Sequence, residues 1–297
     1  MRANLELYRI FCEVVRCGSL SRAARALFVS QSAVSQAVSA LEKQLDTLLF
    51  VRSRRGVLPT EQGKLLYGYA DQALGLLGAA EERLDALGKF VGGELRIGAS
   101  DTLCHYFLLP QLERFHEEFP DVRLHVANRT TPDTIELLKK GEVDVALVNL
   151  PVEEEALEIR EIRRVHDIFV AGARFGYLKD KTITLEEAAE QPLILLERSS
   201  NSRRFLDQYA ARRGVTLRPE IELGAHSLLL EFARIGLGIA CVTREFCTEA
   251  LGRGEVFPVK LRNPLPERSI GLVWLKGIEL SAGARRFVSL ISGGKRP

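Results

Sequence analysis

The 297-residue sequence predicts an α/β protein in three parts: a small all-α-type module with a hairpin wing, a long helix, and two α/β lobes. Three observations carry this. Near the start, apolar residues recur at helical spacing, broken by one short apolar–turn–apolar stretch. A single long helical pattern follows and ends before Gly92-Gly93. Beyond it, short apolar runs alternate with helical patterns, which is the signature of a doubly wound sheet. The expected divisions are 1–59, 60–90 and 91–297, with lobe I at 91–165 and 266–293 and lobe II at 166–265. A length of 297 also exceeds the usual single domain.

The first helix is expected over residues 4–16, where Leu7, Phe11, Val14 and Val15 form one apolar stripe and Gly18 stops it. Ser19 or Ser21 caps a second short helix, SRAARALF, in which Ala23 and Ala24 are small enough to let another helix cross closely. Ser30 caps a third, from Gln31 to Leu45. LLFVRSRRGVLPT then reads as strand, basic turn and strand, so the order is that of a winged helix-turn-helix. Thr60 caps a helix reaching Gly88, along which Leu66, Tyr69, Ala73, Leu76, Ala80, Leu84 and Leu87 make a seam that wants a partner.

In the second part ELRIGAS, RLHVAN and VDVALVN are strands, separated by TLCHYFLLPQLERFHEEFP, a helix interrupted by Pro110, and by TPDTIELLKKG. The alternation restarts after His166 with PLILLE, LRPEIEL and GIACVT as strands and SNSRRFLDQYAARRG and HSLLLEFARIG as helices. RSIGLVWL and SAGARRFVSLI close the chain, which is expected to cross between lobes near 165 and 265. IGLGIA is a glycine pair at a helix end, not a dinucleotide fingerprint.

Charge divides the same way. Residues 1–65 hold ten Lys and Arg against five Asp and Glu, net +5; the remainder holds 31 against 34, net −3. A basic module on a near-neutral body suits a polyanion at one end only. Cys12, Cys17, Cys104, Cys241 and Cys247 show no metal or disulfide spacing, so inert thiols and no metal or cofactor are expected. The N-terminus carries no secretion pattern and no apolar run spans a membrane, which places the chain in the cytoplasm. An enzyme is disfavoured because there is no nucleophile elbow, metal motif or phosphate loop. Asp101 and His105 lie one turn apart but make no mechanism.

With Val34 of the third helix at 0°, Val38, Leu41 and Leu45 fall on its buried face. Ser32, Ser35, Gln36, Ser39 and Lys43 fall on the opposite side, a face of short polar groups with one charge. Gln and Ser suit base edges, and the helix N-terminus at Ser30 and Gln31 offers N–H groups to a phosphate. Arg52, Arg54 and Arg55 at the wing suit the nucleic-acid backbone or minor groove. A helical interaction module with a polar face would give the same periodicity.

The run SLSRAARALFVSQSAVSQAVSALEKQLDTLLFVRSRRGVLPTEQGKLL resembles the LysR family of DNA-binding transcription regulators along its length, and the similarity extends from about residue 3 to 293. Many members carry Pro and Arg where this chain has Ser32 and Gln36. The resemblance implies double-stranded DNA as partner, pairing of helix 60–88 with its twin, a homotetramer built as a dimer of dimers, and a small-molecule effector. It also implies a two-lobed domain like that of periplasmic solute-binding proteins.

Ligands in such sheets lie where strands end and helices begin. Ser100, Thr102, Thr130, Thr131, Asn149, Ser199, Ser200 and His226 stand at such places, and Asn201 follows Ser200. Hydroxyls and amides at several helix starts suit an anion or carboxylate, although each alone is also a preferred cap. The match to the family's ligand positions covers Ser100, Thr102, Thr131, Asn149 and Ser199 and is weakest at His226. A transport binding protein would lack the basic module. A cysteine redox sensor of this family would carry its thiol in LERSSNSRRFLDQY, which has none, leaving Cys104 at a helix start as the remaining candidate.

Overall fold

The computed structural model describes residues 3–53, 56–87 and 92–292. Two compact units result: Met1–Asp85 together with Lys139–Glu142, and Ala86–Leu138 together with Val143–Pro297.

In the N-terminal unit α1 spans Leu5–Cys17, capped by the Asn4 side chain, and ends at Gly18 in the left-handed conformation. Ser19, rather than Ser21, caps α2, Leu20–Ala26, and Ser30 caps α3, Gln31–Leu45. Ala23 and Ala24 are buried with Val14, Val34 and Val38 where the three helices meet. A second cluster gathers Phe11, Cys12, Leu41, Leu49 and Ala70. The wing is β1, Phe50–Ser53, antiparallel to β2, Gly56–Pro59. Val57 N–H donates to the Gly18 carbonyl at 3.2 Å, which ties the wing to the end of α1. Gly56 has φ +128°, and a Cβ there would lie 2.5 Å from the Gly18 oxygen, so only glycine permits the contact.

Thr60 accepts from Gly63 N–H and opens α4, Glu61–Leu87. The exposed residues differ from the expected seam by one position at two places. Leu66 packs into the module's own core, and among the described side chains of α4 the large apolar ones left exposed are Leu65, Tyr69, Leu77 and Leu84; that of Leu87 lies outside the described residues.

The C-terminal unit begins with β3, Glu94–Ala99, and α5, Asp101–Leu103. A π-helical turn over Cys104–Leu108 separates α5 from α6, Leu109–Glu118. The interruption therefore lies before Pro110, which stands in the first turn of α6, where no N–H is needed. Next come β4, Arg123–Asn128, α7, Thr131–Lys139, and β5, Val145–Asn149. β6, Leu157–Val165, runs directly into β7, Asp167–Ala171. The second lobe continues through β8, Thr182–Ile183, α8, Leu185–Ala189, β9, Leu193–Leu196, α9, Asn201–Ala211, and β10, Ile221–Leu223. α10, His226–Arg234, β11, Ile239–Thr243, α11, Thr248–Gly252, and β12, Phe257–Leu261, complete it. The chain then returns through β13, Arg268–Leu275, and α12, Ala282–Ile291.

The first sheet has the order β4-β3-β5-β13-β6 and the second β10-β9-β11-β7-β12-β8. In each, a parallel core is joined by strands running the other way. β13 is antiparallel to β5 and β6, and β7 is antiparallel to β11 and β12. Apolar side chains fill both faces: Leu95, Ile97, Phe115 and Phe287 on one side of the first sheet, Leu138, Ala146 and Val148 on the other. Strands β6, β7, β8 and β12 are additions to the sequence reading. β6 hid because a bulge opposite Ile270/Gly271 skips Ile162, which breaks the period-two pattern of LEIREIRRV.

Candidate nucleic-acid interface and ligand cavity

α3 presents one face outward. Gln31, Ser32, Gln36, Ser39 and Lys43 are exposed and Ser35 is half-buried, while Val34, Val38 and Leu41 hold the opposite face in the core. Ser30 Oγ accepts from Ala33 N–H at 3.1 Å and lies 2.9 Å from Ser32 Oγ, so this hydroxyl serves the helix end. Gln31, Gln36 and Lys43 are long side chains free to reach outward from a rigid helix. Arg52 belongs to β1 by its backbone, and Arg54 and Arg55 lie outside the described residues. Phe28, in the turn before α3, is almost fully exposed, and the sequence reading had not singled it out.

In the C-terminal unit a cavity of about 300 Å³ opens where strand ends of both sheets face each other. Ser100 and Thr102 reach it from the β3–α5 junction, Thr130, Thr131 and Asn149 from the ends of β4 and β5, and Ser200, Asn201 and His226 from the starts of α9 and α10. Ser199 is exposed and is not among the lining residues; Ser200 and Asn201 take that side instead.

These residues differ in what they have left to offer. Thr130 Oγ1 donates to Asp133 at 2.6 Å and is committed to the start of α7. Thr131 Oγ1 accepts from Asn149 N–H at 3.4 Å. Asn201 Nδ2 donates to the Asn149 and Pro151 carbonyls, binding α9 to the end of β5. Ser100 and Ser200 occupy N-cap positions, yet neither side chain makes a capping bond. Among the described residues two buried side-chain polar atoms lack a hydrogen-bond partner, Ser100 Oγ and His226 Nδ1, and both residues line this cavity.

His226 is 2% exposed. Its Nε2 accepts the Thr243 N–H at 2.8 Å, so in the neutral ring Nδ1 carries the proton and is a donor. Burial pushes its pKa down to about 4, and the ring is therefore neutral near pH 7. Tyr106, stacked on Phe246 at 4.8 Å, meets the edge of the same imidazole.

Sequence reading missed the group that lies behind these donors. Arg268, at the start of β13, is buried and makes four bonds. Nε and Nη2 grip Asp167 at 2.6 and 2.8 Å, Nη2 also donates to Thr243 Oγ1 at 2.6 Å, and Nη1 donates to Asn149 Oδ1 at 2.6 Å. Burial disfavours the charge, but the adjoining Asp167 carboxylate outweighs it and holds the guanidinium pKa above its ordinary value. The cavity thus contains a buried cation, contrary to the expectation of neutral donors alone, but one already neutralised by its carboxylate. Nothing in the sequence pairs residues 167 and 268, which stand 101 positions apart.

No group of three or more His, Cys, Asp or Glu among the described residues is placed to hold a metal. The Cys104 thiol is pushed up to about 11 by burial, the reverse of the lowering expected of a reactive thiol at a helix start. No helix among the described residues is long and apolar enough to cross a membrane.

Residues 5–64 match the family model described as bacterial regulatory helix-turn-helix protein, lysR family, and residues 89–294 match the LysR substrate binding domain. Among curated relatives, the Escherichia coli K12 protein named uncharacterized HTH-type transcriptional regulator YeiE is 30% identical over 288 residues, covering 97% of each chain. A probable RuBisCO transcriptional regulator of Trichormus variabilis is 30% identical over 290 residues, 96% of this chain and 86% of that one. Among solved structures, full-length CbnR complexed with target DNA superposes with a TM-score of 0.64 at 19% identity, covering 98% of this chain and 100% of CbnR.

Proposed function

This chain belongs to the LysR family of transcriptional regulators, and on that premise we propose that it reads duplex DNA with α3 while a small anion in the cavity sets how it holds that DNA. In this reading residues 1–59 bind DNA, 60–90 join two copies, and 91–297 sense the effector, all within the cytoplasm. Gln31, Ser32, Ser35, Gln36 and Ser39 address base edges, and the Ser30 helix start and Lys43 address the backbone. Arg52, Arg54 and Arg55 add phosphate contacts from the wing. Supporting this is a long polar face on a helix whose other side is fixed in a core. The exposed Leu65, Tyr69, Leu77 and Leu84 support pairing through α4, and a tetramer would follow from pairing two such dimers.

The observation that carries the anion is the pair of buried, unpartnered groups, Ser100 Oγ and His226 Nδ1. Leaving a buried donor unsatisfied costs about 1–3 kcal/mol. A ligand that accepts from both recovers that cost, and carboxylates and oxyanions are acceptor-only. Thr102, Thr131, Asn149, Ser200 and the N-terminus of α9 add polar lining without adding net charge. A ligand that fits one arrangement of the lobes better than another shifts their equilibrium by its difference in affinity.

Thermal shift of the full chain with inorganic sulfate, inorganic phosphate and short mono- and dicarboxylates tests this, followed by calorimetry of the best binder on Ser100→Ala and Thr102→Val. We expect an anion to raise the melting temperature and both substitutions to weaken it about tenfold, the worth of one hydrogen bond to a charged group. Preference for a neutral or cationic ligand, or an anion indifferent to both changes, would overturn the reading.

A further inference from the structure

The turn between α2 and α3 contains an aromatic residue in a backbone conformation that side chains avoid. Phe28 has φ +56°, and only it and Asp46 are non-glycine residues at positive φ among those described. The cause is the helix ending: Val29 N–H donates to the Ala24 carbonyl at 3.0 Å and Phe28 N–H to the Arg25 carbonyl at 3.2 Å. That pair of bonds is a Schellman ending, and Phe28 fills the position at which Gly is usual because Cβ crowds the following carbonyl. The ring gains nothing inside the fold in return, since Phe28 is 95% exposed. A disfavoured backbone carrying an exposed aromatic group, on a turn fixed by two hydrogen bonds, points to a contact made outside the chain.

The occupant follows from what surrounds it. Phe28 stands two residues before Ser30, the cap of α3, and three before Gln31, the first residue of the polar face. The N-terminal residues of α3 are those placed nearest the bases when such a helix enters a major groove, and the preceding turn then lies along the groove edge. There the apolar groups that DNA offers beside its phosphates are deoxyribose carbons and, at A·T pairs, the thymine methyl, which takes apolar contacts including Phe.

We propose that Phe28 is an apolar DNA contact, its ring seated against sugar and thymine methyl at the edge of the groove that α3 enters. It supplies binding that carries no charge, beside the polar contacts of Gln31 and Gln36. The proposal rests on the α3 face being the DNA face. It also explains why an unfavourable residue occupies a site where glycine would serve the fold better.

The test sets stability against affinity. Phe28→Gly and Phe28→Asn, both suited to positive φ, are made in the full chain. The probe is a duplex enriched from a random-sequence pool by the wild-type full chain, with binding measured by anisotropy across a salt series and melting measured in parallel. Both variants are expected to bind about tenfold more weakly, the equivalent of partly covering one ring, with the slope of log K against log[salt] unchanged because no phosphate contact is lost. Their melting temperatures are expected to equal or exceed wild type. Unchanged affinity, an altered salt slope, or a drop in melting temperature in both variants would each overturn the proposal. Gln36→Ala run alongside separates the two readings. Weakening there with silent Phe28 variants removes the ring contact and keeps the α3 face; the reverse keeps the ring contact and removes Gln36 from the interface.

Discussion

Arg268 and Asp167 form a buried ion pair whose two partners are 5% and 8% exposed, and removing one partner should be far worse than removing both. In Arg268→Met the Asp167 carboxylate loses both guanidinium bonds and keeps only the Thr243 hydroxyl at 3.0 Å, while Asn149 Oδ1 loses its donor. Stranding a buried charge in this way costs about 3–5 kcal/mol, whereas exchanging the whole pair for apolar side chains of similar volume is often near neutral. Arg268→Met and Asp167→Leu are each expected to destabilise the C-terminal unit by about that amount, and the double variant by less than either. The chain has one tryptophan, Trp274, at 9% exposure on the same strand as Arg268, so its fluorescence reports this unit alone. With a urea m-value of about 2–3 kcal/mol per M, each single variant should move the Trp274 midpoint by roughly 1.5 M. A single-variant shift under about 0.3 M, or a double variant that loses the sum of the two, would refute the reasoning.

Pairing through α4 predicts that Tyr69→Glu with Leu84→Glu turns the assembly into monomers in sedimentation while the Trp274 signal stays native, since both residues are exposed in the single chain; an intact dimer would move the interface elsewhere. His166 lies between Glu245, at 2.7 Å from Nδ1, and Glu267, at 3.0 Å from Nε2, and these carboxylates raise its pKa. A raised folded-state value means stability that is complete below the unfolded value of about 6.5 and is lost as pH rises through the folded one. The Trp274 midpoint should therefore fall from pH 6 to pH 8, and His166→Gln should flatten that fall; an equal fall in the variant would assign it to another group.

The N-terminal helices were legible because each buries a stripe of a few residues, such as Phe11 and Val14, and each begins at a short polar cap. Along α4 the apolar residues exposed in the single chain differ from the expected seam by one residue at two places. Leu65-Leu66 and Leu76-Leu77 offer two adjacent choices, and the core of the winged module takes Leu66 for itself. At the cavity, helix starts could be found because strands end just before them, which brought Ser100, Thr131 and Ser200 into view. Ser199 shows the limit of that method, since a one-residue step at a helix start moves a side chain from the lining to the surface. Asp167, Thr243 and Arg268 were beyond reach. Each reads as an ordinary polar residue at the edge of an apolar run, and only the meeting of β7, β11 and β13 gives them partners. The burial of His226 was out of reach for the same reason, because Tyr106 and Phe246 impose it from remote segments.

The order of strands in the first sheet also has a consequence for synthesis. β13 lies between β5 and β6, and it emerges from the ribosome some hundred residues after them. Until Arg268–Leu275 is made, both neighbours expose a bare edge, and the core waits further for Phe287 and Val288 of α12. The second sheet needs only residues from Asp167 to Leu261 and is complete first. The nascent chain therefore completes its second lobe before its first, and a premature stop near residue 265 leaves the first lobe without the strand that joins β5 to β6 instead of merely shortening the protein.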